Sequence, residues 1–432
     1  MMLFNLSPIF ALLPLIIYII LSFKEVNPVL SVIICVILCG ILTKQKFSAF
    51  GGVIADSLGS FLGMIGLIIM LGSGLGAILK KTGVAEYFVM SLVKKIGVDT
   101  EKKAIIATML SSLVLVGLLG TLAGANAILA PIIIPLVATI GITPSTVAVV
   151  FMGAGLTGMF VGPYTPQVVT IMGLTELSYG SYMIAAGIPL GILVSLITFI
   201  MANRIQKKTM GVYAYENIEE YEDNYAPNDD VKRAALAFGL IMAAMIVYGI
   251  YLKSGSSYAI LVISLTAAVT GFAGKLKPDD LINTFISGAS RMMWLFIMFI
   301  LFTPFINFIA EAGAFEKLVS MLNPLLESQS KVVFSFVASI TGIFGVGGAA
   351  TADNIVMDNM FKPLLAQLNI TPSFWALILL VSGQITSFAY PEADMIGQMG
   401  LARSKDMKNL VKFGVTVTVC SIILVVAISF VV

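Results

Sequence analysis

Ile142-Thr143-Pro144-Ser145 recurs in this chain as Ile370-Thr371-Pro372-Ser373, 228 positions later. Further pairs of identical residues keep the same separation or nearly so: Asn126 with Asn354, Pro135 with Pro363, Gly83 with Gly313, and Glu86 with Glu316. Because several matches follow in the same order at a nearly constant offset, the sequence indicates two related halves.

The composition assigns the chain to a lipid bilayer. Of its 432 residues 59% are hydrophobic and 11% are charged, whereas soluble domains carry roughly 25% charged residues. The first apolar run, Phe4 to Leu21, has no basic residue before it and no small-residue cleavage site after it, so we expect a retained span. The net charge of +2 gives no indication of nucleic-acid binding.

Ten apolar runs have about the 20 residues that a transmembrane helix needs. They lie near 4–22, 26–43, 58–79, 145–175, 181–202, 234–252, 257–274, 288–310, 373–402 and 409–431. Two longer runs, 103–140 and 331–368, are interrupted by the glycine-rich stretches 120–126 and 345–351. We interpret both as re-entrant hairpins, with two tight full spans each as the alternative.

These elements predict an all-α polytopic membrane protein of about ten transmembrane helices and two re-entrant hairpins in an inverted-topology repeat. The first repeat is 1–203, the second is 234–432, and 204–233 is an acidic cytoplasmic linker. This arrangement collects most of the 25 lysine and arginine residues on one side, which the positive-inside rule assigns to the cytoplasm. Both termini are then outside the cell (plasma) membrane.

Four breaks interrupt the apolar sequence with glycine, proline or polar residues, and the repeat relates them in two pairs. Such breaks persist in lipid only where they line a cavity or bind a ligand, because each unsatisfied amide costs several kcal/mol. Proline removes a backbone donor, so we expect free carbonyls just before Pro163 and Pro391 that could coordinate a cation. The simpler explanations are tight helix packing at the hairpin tips and a kink at each proline. The candidate solute- or ion-binding residues without charge are Asn126, Thr157, Pro163, Gln167, Thr351, Asn354, Thr386 and Pro391.

Carboxylates occur only in the second-half breaks. Asp358 stands four residues before Lys362, which allows a pair on one helix face. Asp353, Glu392 and Asp394 have no basic residue nearby in sequence, so they need cations or protons to neutralise them. We therefore expect a cation among the transported species. The candidate Na⁺ ligands are Asp353, Asn354, Glu392 and Asp394.

The stretch from Gly347 to Asn354, continued by Ala389-Tyr390-Pro391-Glu392-Ala393-Asp394, resembles the ion transporter superfamily. The nearest members are the C-type sodium/proton antiporter family and related Bacillus-type permeases. Gluconate, citrate and C4-dicarboxylate carriers are more distant relatives. The resemblance implies two hairpins, two broken spans and a homodimer. The Ser-Asn-Thr hairpin motif of the dicarboxylate branch is absent, and the tips read Gly-Ala-Asn-Ala at 124–127 and Thr-Ala-Asp-Asn at 351–354.

We predict a cation-coupled secondary transporter, most similar to a Na⁺/H⁺ antiporter whose carboxylates exchange H⁺ for Na⁺. The alternative is Na⁺- or H⁺-coupled transport of a small organic solute, such as an amino acid or a hydroxy or carboxylic acid. The sequence shows no nucleophile–base pair, metal cluster or phosphate loop, so we do not expect an enzyme. We expect no cofactor beyond the coupling ions, and no partner besides the bilayer, the ions, a possible solute and a second copy.

Overall fold

The structure is a computed structural model that describes residues 6–24, 26–215, 225–252, 254–315, 317, 320–321, 331–344 and 350–432. Every regular element in these ranges is helical, which confirms the predicted all-α membrane fold. Residues 345–349 of the second hairpin tip and residues 216–224 of the predicted linker lie outside the described residues.

The helices of the first half follow a 3₁₀ turn at Pro8–Leu12. In order they are α1 (Leu13–Phe23), α2 (Pro28–Leu42), α3 (Phe50–Ser57), α4 (Phe61–Lys81), α5 (Val84–Ile96), α6 (Glu101–Leu119), α7 (Leu122–Ala138), α8 (Pro144–Val161), α9 (Pro166–Thr175), α10 (Tyr179–Tyr182) and, after a π turn, α11 (Ile188–Thr209).

The second half repeats much of this order. Its helices are α12 (Asp229–Leu252), α13 (Tyr258–Ala273), α14 (Pro278–Ser290), α15 (Met293–Glu311), α16 (Lys331–Thr341), α17 (Ala350–Leu365), α18 (Pro372–Ala389), α19 (Ala393–Leu401) and α20 (Met407–Ser429). Helices α11 and α12 extend into both ends of the predicted linker 204–233, since α11 ends at Thr209 and α12 begins at Asp229.

The repeated sequence produces repeated local structure. Thr143 caps α8 by accepting a hydrogen bond from the Thr146 amide, and Thr371 caps α18 by accepting one from the Phe374 amide. In each case the following proline occupies the first helical turn, where its missing N–H costs nothing. Residues with positive φ also fall at repeat-related positions: Gly83 with Gly313, Gly141 with Asn369, Lys44 with Lys275, and Glu176 with Arg403.

Polar contacts join loops that the predicted topology places on the same side. On the predicted cytoplasmic side, Gln206 donates to the Gly141 carbonyl at the open end of the first hairpin. On the other side, Lys331 donates to the Val432 carbonyl at the open end of the second. The two hairpins therefore open on opposite sides. Further same-side contacts are Lys275–Asp230, Tyr215–Ala402 and Gln45–Glu311.

The tip of the first hairpin lies at the depth of the break in the following span. Gly120 to Ala123 line the same cavity as Pro166 at the start of α9. Helix α9 continues for ten residues, about 15 Å at 1.5 Å per residue. The hairpin thus turns back inside the protein, as expected of a re-entrant segment.

Eight helices in the described residues are long and apolar enough to cross a membrane. In this count, two helical segments of one broken span are taken together. The predicted spans 4–22, 26–43 and 257–274 form helices shorter than that criterion, among them α2 and α13. Conversely, α6 meets the criterion although it is one arm of the first hairpin. Length alone therefore does not separate spans from hairpin arms in this fold.

The broken spans cross between the two halves. Helix α9 of the first half packs against α17 and α18 of the second, and α19 of the second half packs against α7 and α8 of the first. Glycine allows the close contact of α6 with α8: a Cβ at Gly158 would lie 2.5 Å from the Leu113 carbonyl oxygen and 2.9 Å from the Gly117 nitrogen.

We predict that Gly158→Ala lowers the free energy of unfolding by about 1–3 kcal/mol, because the added methyl group overlaps the backbone of α6. Gly72→Ala is the matched control, since Gly72 is also helical but a Cβ added there would have no neighbouring atom within 4 Å. That variant should be neutral or slightly stabilising. Thermal unfolding in detergent measures both, and equal melting temperatures would contradict the contact.

Candidate functional site

Both hairpin tips and both broken spans meet at one cavity of about 200 Å³. Helices α4 and α15 close it with Ile69, Ser73 and Leu295. From the first half it receives Thr121 and Gln167, and from the second Thr351, Gln384, Ser387 and Asp394. The predicted pairs of breaks therefore form one site between the halves, and three predicted residues line it: Gln167, Thr351 and Asp394.

Four helices begin at this cavity. The first-turn residues Leu122 of α7, Pro166 of α9, Ala350 of α17 and Asp394 of α19 all line it. A helix N-terminus carries unpaired N–H groups and a partial positive charge, which together stabilise a bound anion. None of the described residues that line the cavity is a lysine or arginine. Any positive charge that the described lining residues contribute thus comes from backbone N–H groups and not from basic side chains.

Two buried glutamines, one from each half, face each other across the cavity. Gln384 of α18 donates its Nε2 to the Oε1 of Gln167 on α9. The remaining Nε2 of Gln167 and Oε1 of Gln384 have no hydrogen-bond partner among the described residues. An unpaired buried amide group costs about 1–3 kcal/mol. A ligand that bonds to both free groups would remove this cost, and the pair offers it one donor and one acceptor.

The second break brings two predicted carboxylates together. Asp394 Oδ2 accepts a hydrogen bond from Ser387 Oγ at 2.9 Å. Glu392 caps α19, and its Oε1 accepts from the Asp394 amide at 2.9 Å. Asp353 and Glu392 both interact electrostatically with Tyr390, and Asp353 also interacts with Tyr18.

Na⁺ binding by Asp353, Asn354, Glu392 and Asp394 stays a prediction. Within the part of the chain that the structure describes, no group of three or more acidic or cysteine side chains is close enough to hold a metal ion. Asp394 alone of the three carboxylates lines the cavity.

The two repeat-related asparagines have different environments. Asn126 donates Nδ2 to the Phe151 carbonyl at 3.1 Å and to Gln398 Oε1 at 2.7 Å, and its Oδ1 accepts from Ser112 at 2.7 Å. Asn354 is equally buried, yet both its amide atoms lack a partner among the described residues. Asn126 therefore connects the two halves, whereas Asn354 retains its capacity to bind a ligand.

Other predicted residues lie outside the cavity. Thr157 donates to the Gly153 carbonyl of its own helix, and Thr386 lies 3.3 Å from two carbonyls. Pro163 borders a separate small pocket, and Pro391 is exposed. The carbonyls before Pro163, expected to be free for a cation, already accept hydrogen bonds from Thr165, Tyr179 and Tyr182.

Sequence reasoning missed Gln384 and Ser387 as candidate binding residues. Gln384 and Ser387 lie in the stretch already identified as the second break. Their polarity inside an apolar helix was the available signal. The pairing of Gln384 with Gln167 was not predictable, because these residues are not related by the repeat.

Comparisons with known proteins agree on a membrane transporter. Residues 4–247, more than half of the chain, match the model of the GntP family permease. The fold is similar to the crystal structure of the YdaH transporter of Alcanivorax borkumensis, described as having an unusual topology. The TM-score is 0.60 at 17% identity, over 89% of this chain and 88% of that one.

The structure of MtrF from Neisseria gonorrhoeae, which is described in the context of antimetabolite efflux pumps, also aligns. Its TM-score is 0.49 at 12% identity, over 99% of this chain and 95% of that one. No curated protein matches the sequence. At 17% identity, the similarity to YdaH shows a similar fold and nothing more.

We predict opposite consequences for the two repeat-related asparagines. Asn126→Ala leaves Ser112 and Gln398 without their partner and should lower the free energy of unfolding by about 1–3 kcal/mol. Asn354→Ala should leave stability nearly unchanged and reduce transport instead. Melting temperature and transport rate, measured on both variants, test this contrast. A larger loss of stability in Asn354→Ala than in Asn126→Ala would contradict it.

Proposed function

This chain belongs to the GntP permease family, and on that basis we propose that it transports a small hydroxylated organic acid, of which gluconate is the type, driven by a coupling cation. It is a secondary transporter of this family. The family match favours the organic-solute alternative over the Na⁺/H⁺ antiporter. Gluconate carriers stood among the more distant relatives in the sequence resemblance.

The size of the cavity supports an organic solute. Its volume of about 200 Å³ would hold roughly six waters at the liquid value of about 30 Å³ each. A single dehydrated Na⁺ needs much less space, and the carboxylates do not converge on one point among the described residues. A solute with several polar groups can use both halves of the cavity at once.

The polarity of the cavity supports an anion with hydroxyl groups. The N-termini of α7, α9, α17 and α19 point partial positive charge at the cavity. The free Gln167 Nε2 is a donor for a carboxylate or hydroxyl, and the free Gln384 Oε1 is an acceptor for a hydroxyl.

Asp394 supplies a physical basis for coupling. Its carboxylate lines the same cavity as the four N-termini and occupies the first turn of α19. An anionic solute and an ionised Asp394 repel each other in this low-dielectric site. Binding of H⁺ or Na⁺ at Asp394 removes that repulsion, so cation and solute favour each other's binding.

We predict that Asp394→Asn retains solute exchange across proteoliposome membranes but loses accumulation driven by an ion gradient, because the amide is permanently neutral. Radiolabelled gluconate is the first probe, followed by other hydroxy acids and amino acids. Uptake under imposed H⁺ or Na⁺ gradients is compared with exchange at equal concentrations on both sides. Loss of both activities together in a stably folded variant would contradict this role of Asp394.

We also predict that Gln167→Leu weakens solute binding about 10- to 100-fold, because its free Nε2 can donate to the solute carboxylate and a hydrogen bond to a charged group contributes about 1.5–3 kcal/mol. Gln384→Leu should weaken binding about 2- to 10-fold, because its free Oε1 accepts only from a neutral hydroxyl, and such a bond contributes about 0.5–1.5 kcal/mol. Gln45→Leu is the control, because Gln45 is only half-buried and bonds to exposed Glu311 outside the cavity. The half-saturating solute concentration is the measurement.

Proton flux that a Na⁺ gradient drives in the wild-type protein without any solute would instead establish antiport and refute the organic-solute proposal. A pH dye inside the proteoliposomes would record this proton flux. The Gln167→Leu substitution would then leave the flux unchanged.

A further inference from the structure

Helix α17 carries a polar stripe that extends from the cavity to the surface. Thr351, Asn354, Asp358 and Lys362 follow each other at intervals of three or four residues, which places them on one helix face. Thr351 lines the cavity, Asn354 and Asp358 are buried, and the Lys362 side chain is 63% exposed. The stripe therefore connects the solute site to the exposed end of the second hairpin.

The first half shows that helix packing does not require this stripe. The positions 228 earlier on α7 are Ala123, Asn126, Ala130 and Ile134. Helix α7 packs against α8 and α19 as α17 packs against α18 and α9, with apolar residues at three of these four positions of α7. Since the same architecture forms without Asp358 or Lys362, their presence in the second half calls for a functional explanation.

Asp358 is a buried acid with few stabilising contacts. Its Oδ1 accepts a hydrogen bond of 2.7 Å from Trp375 Nε1. Its Oδ2 lies 3.5 Å from Lys362 Nζ, and only 5% of the Asp358 side chain is exposed. The aromatic rings of Phe334, Phe361 and Trp375 pack together beside it.

The charged groups around Asp358 are few. On its own helix Lys362 lies one turn away and Asp353 stands five residues before it, and helices α9 and α18, which pack against α17, contain no titratable side chain. Helix α16 contributes Lys331, whose Nζ bonds to the Val432 carbonyl at the open end of the hairpin. A lasting negative charge at Asp358 is therefore costly, and a neutral, protonated carboxyl is accessible.

The position of Asp358 suits an intermediate stop for a proton. It stands seven residues from Thr351, about 10 Å along the helix, and one turn from exposed Lys362. Asn354 lies between, with a donor and an acceptor that have no partner among the described residues. Those two groups are what a bridging water needs.

We propose that Asp358 carries protons between the open end of the second hairpin and the cavity, along the stripe formed by Thr351, Asn354, Asp358 and Lys362. This rests on the proposed function, with H⁺ as the coupling cation. The carboxylate takes a proton from hydronium at the Lys362 end: an O–H bond to Asp358 forms as one O–H bond of hydronium breaks, and water is left. Protonated Asp358 then gives its proton to a water at Asn354, which passes one of its own protons to ionised Asp394, so that Asp358 ends ionised and Asp394 neutral. Trp375 donates to Oδ1 in both protonation states, so the side chain keeps its position.

The test compares Asp358→Asn with Trp375→Phe in the full-length protein reconstituted in liposomes. Asp358→Asn keeps an acceptor for Trp375 but cannot carry a proton. We expect it to retain gluconate exchange and to lose pH-gradient-driven gluconate uptake by at least about tenfold, whereas Trp375→Phe retains coupling. Asp358→Asn with unimpaired pH-driven uptake would overturn the proposal. Equal loss of exchange and coupling in both variants would also overturn it, since that result assigns Asp358 to structure.

A solute-independent measurement separates this proposal from the proposed function. Infrared difference spectra of the reconstituted wild-type protein, recorded between acidic and alkaline buffer, should contain a protonated-carboxyl band. That band should disappear in Asp358→Asn and shift in frequency in Trp375→Phe, which loses the hydrogen bond to Oδ1. A spectrum unchanged by both substitutions overturns the proton-carrying role. Failure of the wild-type protein to move any solute of the panel refutes the proposed function, while the infrared result still decides the role of Asp358.

Discussion

Polar backbone groups inside a bilayer must find partners within the protein, and this requirement governs the two broken spans. In the first break, the hydroxyls of Thr165, Tyr179 and Tyr182 satisfy the carbonyls at the end of α8. In the second, the Glu392 side chain caps α19. The N-termini of α7 and α19 are capped by Thr121 and Glu392, so only the N–H groups that these caps leave unpaired are available to a ligand in the cavity. The cavity is thus bordered by helix ends whose own structural needs are partly met within the protein.

The two halves use one architecture for different purposes. Asn126 is fully hydrogen-bonded and joins the first hairpin to Gln398 of the second half, whereas its counterpart Asn354 has no partner among the described residues. Likewise Ala130 corresponds to the buried acid Asp358. The first half therefore provides a template for packing, and the second half adds ionisable groups to it. Comparison of repeat-related positions therefore separates the hydrogen-bonded or apolar positions of the first half from positions of the second half that are ionisable or, among the described residues, unpaired.

Much of the fold was predictable from the sequence because the signals are local. Glycine-rich interruptions, prolines after Thr143 and Thr371, and the repeated offsets predicted the hairpins and the breaks. The site was predictable only in part. Gln167, Thr351 and Asp394 line the cavity as expected, but the pairing of Gln167 with Gln384 depends on how α9 crosses onto α18. The expected free carbonyls before Pro163 are occupied by tyrosines that follow in α10. Such contacts between distant segments follow from packing, which local patterns do not specify.

The crossing of α9 and α19 onto the opposite half has a consequence for biosynthesis. Gln167 and Asn126 are made early, yet their partners Gln384 and Gln398 belong to the last fifth of the chain. Until that part is made, Gln167 lacks the hydrogen bond from Gln384, and Asn126 has only its bonds to Ser112 and to the Phe151 carbonyl. The second-half side of the cavity is missing as well, because Thr351, Ser387 and Asp394 come late in the chain. The cavity can therefore form only when translation is nearly complete.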